Sequence, residues 1–572
     1  MVILDTHGWD VVYVGTRDLM NKQLRKYMND NKITFTYVDE NTSVTLTFDN
    51  WEIVPGGASK LLRVKTLVKE GELIFMGNST KLDGICPLLE LQLGFFQQSN
   101  MQKLAFNFLV KGEREGDQRA GAVTVINPDI NQVFSQGSMV YTFLNLTLAD
   151  MFINNKDRVS HIFAELNVSS NISWMQPEKY KYSYYSPTNN QEKGFLVIFS
   201  VVTNRDISNL NELIDGAILD NNHETFLVLS EKLFLEHMIM PELPNSFGHG
   251  ATINHFRFES TSPTTGVIKN TRNLNAAPVR VGAIDYYPIF TNFNMKVEGN
   301  KLHMKASGKC DVTGLADTYV LFDVEAKYSL YYDQNNKRIQ LSLDSTPKVN
   351  TEKVIPWWVW ILGAVTIGII AAIVSALESS LATALRINLN TNIGKLNADV
   401  VRWSGMDQEE ITDCVLDVAF CIKGNGESVI SGNFQIVTAL NNSSVLDLNG
   451  PNNVTLWSNN QGNHQKWKFV YDKQKNAYQI YSVSNPNLIL AWNDIPGSRN
   501  VFATPNQQKE EHYWILQHLE DDYYIIKNKK SPNLVLDVDN ANTNNGTNIK
   551  VNEQHDLGSP YSKAQKFNLK RV

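Results

Sequence analysis

Four groups of residues in this 572-residue chain could do chemistry. His249 and His255 flank a loop and could fill two corners of a zinc site, but no third ligand stands near them, and a tetrahedral centre needs one. Asp521 and Asp522 are adjacent carboxylates, yet they sit at a strand start, where solvated turn residues are the rule. Cys414 and Cys421 could bridge across a hairpin. With Cys86 and Cys310 they are too few for a disulfide framework, and none forms a CxxC pair. Isolated buried thiols are the expectation, with a Cys414–Cys421 bond left open. The fourth group is a repeated one. Leu446-Asp447-Leu448, Leu490-Ala491-Trp492 and Leu536-Asp537-Val538 are each followed by Gln465-Lys-Trp467, His512-Tyr-Trp514 and Gln565-Lys-Phe567.

The familiar catalytic constellations are missing. The chain has no HExxH, no GxSxG, no P-loop and no GxGxxG between a strand and a helix. A glycosidase would need two paired carboxylates, and spacing does not supply a pair. A non-enzymatic protein with no cofactor and no metal is expected.

The repeat dictates its own scaffold. Each unit opens on a strand signal: Phe434-Gln-Ile-Val, Tyr478-Gln-Ile-Tyr and Tyr523-Tyr-Ile-Ile. A period of about 45–50 residues, present three times, fits a β-trefoil better than a propeller or solenoid. No unit can bury its apolar face alone, so the three share one core, with the closing aromatics as its pillars. The trefoil is placed at 425–572, after a larger body at 1–424.

The body reads mainly as β-structure. Ile33, Phe35 and Tyr37 alternate with polar neighbours, as do Val44, Leu46 and Phe48. Tyr328, Leu330 and Tyr332 lead into a polar turn at 333–337, from which Ile339, Leu341 and Leu343 return. A short helix is expected over about 16–28, with Leu19, Met20, Leu24, Tyr27 and Met28 on one stripe after Thr16. Another is expected over about 230–240, capped by Ser230 and stopped by Pro241. From Val354 to Leu377 there is no charge at all. A helix of about 20 such residues is long enough to span a bilayer. Trp357, Trp358 and Trp360 would mark its interface, and Ala364, Gly368, Ala372 and Ala376 a close-packing face. A buried or conditionally inserted helix is preferred to a constitutive span.

Composition bounds the partners. The chain is 42% hydrophobic and 19% charged, as folded soluble proteins are, and its length implies more than one domain. Net charge is −7, without an extended Lys/Arg cluster, which argues against nucleic acid. Met1-Val-Ile-Leu-Asp-Thr-His7 has no basic segment ahead of an apolar one, so no classical signal peptide is visible. Synthesis in a bacterial cytoplasm and release by a non-classical route, to act at a host surface or membrane, is the expectation.

About 430–572 resembles the ricin B-type lectin family, whose signature is the repeated Gln-x-Trp. In that family a repeat can host a shallow sugar site, where an Asp of the LDL-like segment accepts from sugar hydroxyls and an aromatic ring stacks on the C–H-rich face. Carried over residue by residue, the resemblance implies a complete site in the first repeat: Asp447, Trp457, Asn463 and Gln465. The second has Ala491 for the Asp and Thr504 for the platform, and reads as lost. The third keeps Asp537 and Gln565, with Asn552 at the platform position and His555 or Tyr561 as substitutes. The implied partner is a cell-surface glycan, galactose-type sugars included. A single site gives weak monovalent affinity unless avidity adds to it.

Asp5-Thr-His-Gly-Trp-Asp10, Phe48-Asp-Asn-Trp-Glu-Ile-Val-Pro-Gly-Gly-Ala-Ser59 and Leu229–Pro244 resemble clostridial P-47 proteins over about 1–424. Members accompany botulinum-type neurotoxins with OrfX proteins, and relatives occur in insecticidal loci. The resemblance implies a TULIP (tubular lipid-binding) fold, an elongated curved sheet or barrel with long helices, and a lipid partner, phosphoinositide included. It offers no motif that places a lipid-contacting residue. Sibling proteins of the toxin cluster are further expected partners. The resulting expectation is a mainly β (α+β) toxin-associated protein that joins lipid to surface carbohydrate. The alternative is a membrane-inserting, pore-forming insecticidal toxin using 354–377.

Overall fold

A computed structural model describes residues 4–572 apart from 170–172, 187–192, 215–218, 220–221, 248–249, 334–337, most of 357–399, 405, 429, 431, 473–474, 476 and 520–522. The chain divides into two compact units, Met1–Glu427 and Ser428–Val572.

In the first unit the period-two pattern does what it should. Phe35, Val44 and Leu46 are fully buried while Thr36 and Thr45 are exposed. These residues lie on Thr34–Asp39 and Thr42–Val54, paired antiparallel at one edge of a ten-stranded sheet. An eight-stranded sheet contains the second expected hairpin. Tyr328 pairs with Leu343, Leu330 with Leu341 and Tyr332 with Ile339, although most of the turn between them lies outside the described residues. A six-stranded sheet gathers distant segments, with Val11–Thr16 between Phe195–Val201 and Thr225–Leu229. All four cysteines are buried free thiols, Cys414 and Cys421 included.

The helices correct the expectation. Among the described residues strand makes up 51% and helix 15%. The two longest helices among the described residues, Arg17–Asp30 and Met139–Asn154, have 14 and 16 residues, or about 21 and 24 Å. The long helices expected of a TULIP-like body are therefore not found among the described residues. The strand-forming alternation of Val, Leu and Phe with Thr, Asn and Lys commits most of the body to sheets that meet through their own apolar faces. The first helix begins where Thr16 Oγ1 accepts from Leu19 N, and it buries Leu19, Met20, Leu24 and Met28. The segment after Ser230 is broken up. Glu231–Phe234 is α-helical, Leu235–Ile239 widens to a π-turn and Met240–Glu242 tightens to a 3-10 turn. Pro241 lacks the N–H that a regular turn would use. Met139–Asn154 has no stripe in its sequence, because apolar residues occur all round it; Leu144, Leu148, Ala149, Met151 and Phe152 are the apolar ones buried, with Thr147 beside them. The expected apolar helix at 354–377 lies largely outside the described residues. Among the described residues, no helix is long and apolar enough to cross a membrane.

The break after Ser230 buries a carboxylate. Glu231 is 9% exposed, and burial pushes its carboxyl up to about 7, against the backbone amides of Val297 and Gly266 and the charge of Lys296. A raised carboxyl favours the fold when protonated. Its contribution is complete below about 4.5 and is lost as pH rises through 7. Glu231→Gln is expected to gain on the parent in melting temperature between pH 5 and pH 8; a constant difference across that range would refute the assignment.

The second unit closes around one core. Three hairpins, Ser444–Asn449 with Asn453–Ser458, Leu488–Trp492 with Val501–Pro505, and Leu534–Val538 with Thr547–Glu553, recur in the same register. Leu446, Leu490 and Leu536 point inward together with the pillars Trp467, Trp514 and Phe567, all fully buried. Trp467 Nε1 donates to Leu446 O at 3.1 Å and Trp514 Nε1 to Leu490 O at 2.8 Å. Phe567 has no N–H to do the same.

Candidate functional site

On each hairpin, residues flanking the inward leucine face the other way. In the first repeat that opposite face carries Asp447, directly across from Thr455, and Trp457, paired with Val445 and diagonal to Asp447. Gln465 clamps the carboxylate. Its Nε2 donates to Asp447 Oδ2 at 2.9 Å and to Ser458 O at 3.0 Å, while its Oε1 accepts from Asn460 N at 2.8 Å. Asp447 is 5% exposed, and among the described residues none engages its Oδ1. The Thr455 hydroxyl across from it is likewise buried and unpartnered. Trp457 is half-buried, its ring lying where a Cβ on Gly546 would come within 3.7 Å. That distance is ordinary packing, and it is the φ of +85° at Gly546 that favours glycine in this turn. A fixed acceptor and a ring on one face can take a sugar hydroxyl and the apolar side of its ring.

The third repeat reproduces the clamp but not the rest. Gln565 Nε2 donates to Asp537 Oδ2 at 2.8 Å and to Glu553 O at 2.9 Å, and its Oε1 accepts from His555 N at 2.9 Å. Across from Asp537 stands Lys550, whose Nζ is held by Asp539 at 2.5 Å, and Asn552 occupies the register position of Trp457. Burial raises the Asp537 carboxyl; hydrogen bonds from Gln565 and Asn552 and the nearby charges of Lys550 and His555 oppose the rise. The His555 and Tyr561 rings lie 6.1 Å apart, with Tyr561 68% exposed. In the second repeat Ala491 lies across from Phe502, and Thr504 takes the platform register. His512 replaces the clamp, its Nδ1 accepting from Gln507 N at 3.3 Å, and burial lowers its pKa.

Asp447, Trp457 and Gln465 are thus brought together, as are Asp537 and Gln565. Asn463 stands apart, its Oδ1 accepting from Lys466 Nζ at 3.3 Å. The neighbour that reaches the carboxylate is His464, with Nε2 3.5 Å from Asp447 Oδ2. Sequence reasoning missed both His464 and Thr455. The signal for His464 was its place immediately before the Gln of Gln-x-Trp; for Thr455 it was the hairpin register. Of the other candidates, His255 caps a turn by accepting from Thr252 N at 3.1 Å. His249, Asp521 and Asp522 lie outside the described residues. Among the described residues no group of three or more His, Cys, Asp or Glu side chains could hold a metal ion.

Comparison with known proteins divides the chain in the same two parts. Residues 6–408 match the family described as protein OrfX2/OrfX3/P47. Protein P47 of Clostridium botulinum (strain Kyoto / Type A2) is 36% identical over 428 residues, 74% of this chain and all of that protein. The solved structure of P47 from Clostridium botulinum A2 superposes with a TM-score of 0.66 at 35% identity, covering 74% of this chain and 99% of the other. Residues 463–552 match the ricin-type beta-trefoil lectin domain-like family. There the main hemagglutinin component type C of a Clostridium botulinum C phage is 37% identical over 103 residues, 18% of this chain and 36% of that protein. This chain belongs to the OrfX2/OrfX3/P47 family and carries a ricin B-type lectin domain in its C-terminal part.

Proposed function

We propose that this is a non-enzymatic, toxin-associated protein that attaches to surface glycans through the first repeat of its lectin domain. The observation that carries the reading is Asp447, clamped through one oxygen by Gln465, on the same hairpin face as the Trp457 ring. The body would then work at the surface so reached, in contact with lipid. Support for lipid contact comes from exposed apolar side chains, Val38 in an edge strand, Met76 in a turn and Met139 at a helix start among them, at 76%, 68% and 74%.

A glycan array probed with the full chain tests the first part. Binding is expected for the parent, with about a tenfold loss in Trp457→Ala, since ring stacking is worth roughly 1–1.5 kcal/mol. Silence of the parent on the array would end the glycan reading. Co-flotation with phosphoinositide-containing liposomes, read against phosphatidylcholine alone, tests the second part, and failure to float with either removes the lipid partner.

A further inference from the structure

Asp447 has a second neighbour besides its clamp. His464, the middle residue of the 3-10 turn Asn463–Gln465, is 43% exposed and places Nε2 3.5 Å from Asp447 Oδ2. The same nitrogen lies 3.3 Å from Asn460 Nδ2. Asn460 presents its amide nitrogen there because its oxygen is in use, accepting from Gly462 N at 2.9 Å. The two neighbours of Nε2 therefore make opposite demands. Asn460 offers a hydrogen, which only an unprotonated Nε2 can accept. Asp447 offers lone pairs, which only a protonated Nε2 can use.

The geometry points to His464 as a positioning residue that makes glycan binding at Asp447 dependent on pH. This inference rests on the glycan reading of the site. In the neutral ring that carries its proton on Nδ1, Nε2 accepts from Asn460, and the Asp447 charge is left for sugar hydroxyls. On protonation Nε2–H repels the Asn460 amide and turns to Asp447 Oδ2, already held by Gln465. The carboxylate is then shared with a cation, its free oxygen is a poorer acceptor, and the loop from Asn459 to Gly462 loses a tie to the ring. Sugar is released as pH falls.

Few other charges bear on the ring. Strand Ser444–Asn449 brings Asp447, and strand Ala477–Ser482, which also meets this turn, has no charged side chain. On the turn's own side Lys466 directs its Nζ to Asn463 Oδ1. Histidine is the side chain whose charge ordinarily changes between about pH 5 and 8. The third repeat supplies an internal contrast. Ala564, buried, stands immediately before Gln565, and the equivalent device cannot form there.

The test is the full chain on a glycan array that includes lactose- and N-acetylgalactosamine-terminated members, read at pH 7.5 and 5.5. Tryptophan fluorescence at both values verifies that the fold is retained. Parent binding is expected to fall about tenfold on acidification, the equivalent of roughly 1.4 kcal/mol. His464→Asn is expected to change by less than about twofold, and His464→Gln, which keeps an acceptor for Asn460, to behave alike if the first variant folds poorly. An equal fall in parent and variants, or no fall in the parent, overturns the gate while leaving the glycan site standing. A parent silent at both pH values overturns the glycan reading and the gate with it.

Discussion

Replacing Trp467 by alanine is expected to cost the lectin unit about 3–5 kcal/mol, the usual range for emptying a large aromatic site in a core. Trp467 is fully buried among Leu446, Leu456, Trp514 and Phe567. Its indole N–H is spent on Leu446 O, so the variant leaves a cavity and an unpaired backbone carbonyl together. The protein itself supplies the control. The equivalent pillar of the third repeat is Phe567, which holds its place without any N–H. Trp467→Phe should therefore cost only about 1–2 kcal/mol, the lost hydrogen bond plus a small loss of volume. Trp467 is also two residues from Gln465, so the alanine variant should lose the Asp447 clamp and glycan binding together. Urea unfolding of the full chain, followed by fluorescence and set beside binding, reads both effects. A cost below about 1 kcal/mol for Trp467→Ala would mean that the pillar carries no core weight.

Local periodicity made much of this legible in advance. The hairpin from Tyr328 to Leu343 and the helix after Thr16 were readable because each element has one wet and one dry face. The trefoil was readable because three copies of a strand-and-pillar pattern are redundant. The helix Met139–Asn154 escaped notice for the opposite reason: apolar residues on every side leave no stripe to find, and only the surrounding sheet selects which of them is buried. The long helices expected of the body came from family likeness rather than from any 3.6-residue period in the chain, and the strands took their place. At the site, the resemblance to ricin B-type lectins placed Asp447 and Gln465, whose contact bridges 18 residues. It did not place Thr455 or His464, since register and side-chain direction decide which polar neighbour faces the carboxylate.

Asp447→Asn is expected to weaken glycan binding by about 10- to 100-fold, because hydrogen bonds to a charged acceptor are worth roughly 1.5–3 kcal/mol. The amide is nearly isosteric, and its oxygen can still accept from Gln465, so folding should be spared. Asp537→Asn makes the same chemical change in the other clamped repeat and should leave binding within about twofold. Asp537 has no ring at the platform register, where Asn552 stands, and its carboxylate already receives Asn552 as well as Gln565. Its effect should fall on stability instead. Burial raises the Asp537 carboxyl, so its contribution to folding is present below the ordinary value of 3.8 and is lost as pH rises through the elevated one. The asparagine variant should accordingly gain on the parent in melting temperature as pH rises through that elevated value. Binding isotherms and melts of the two variants separate the repeats. If Asp537→Asn abolishes binding and Asp447→Asn does not, the working site is the third repeat, and the Trp457 ring is a wall of the fold rather than a platform for sugar.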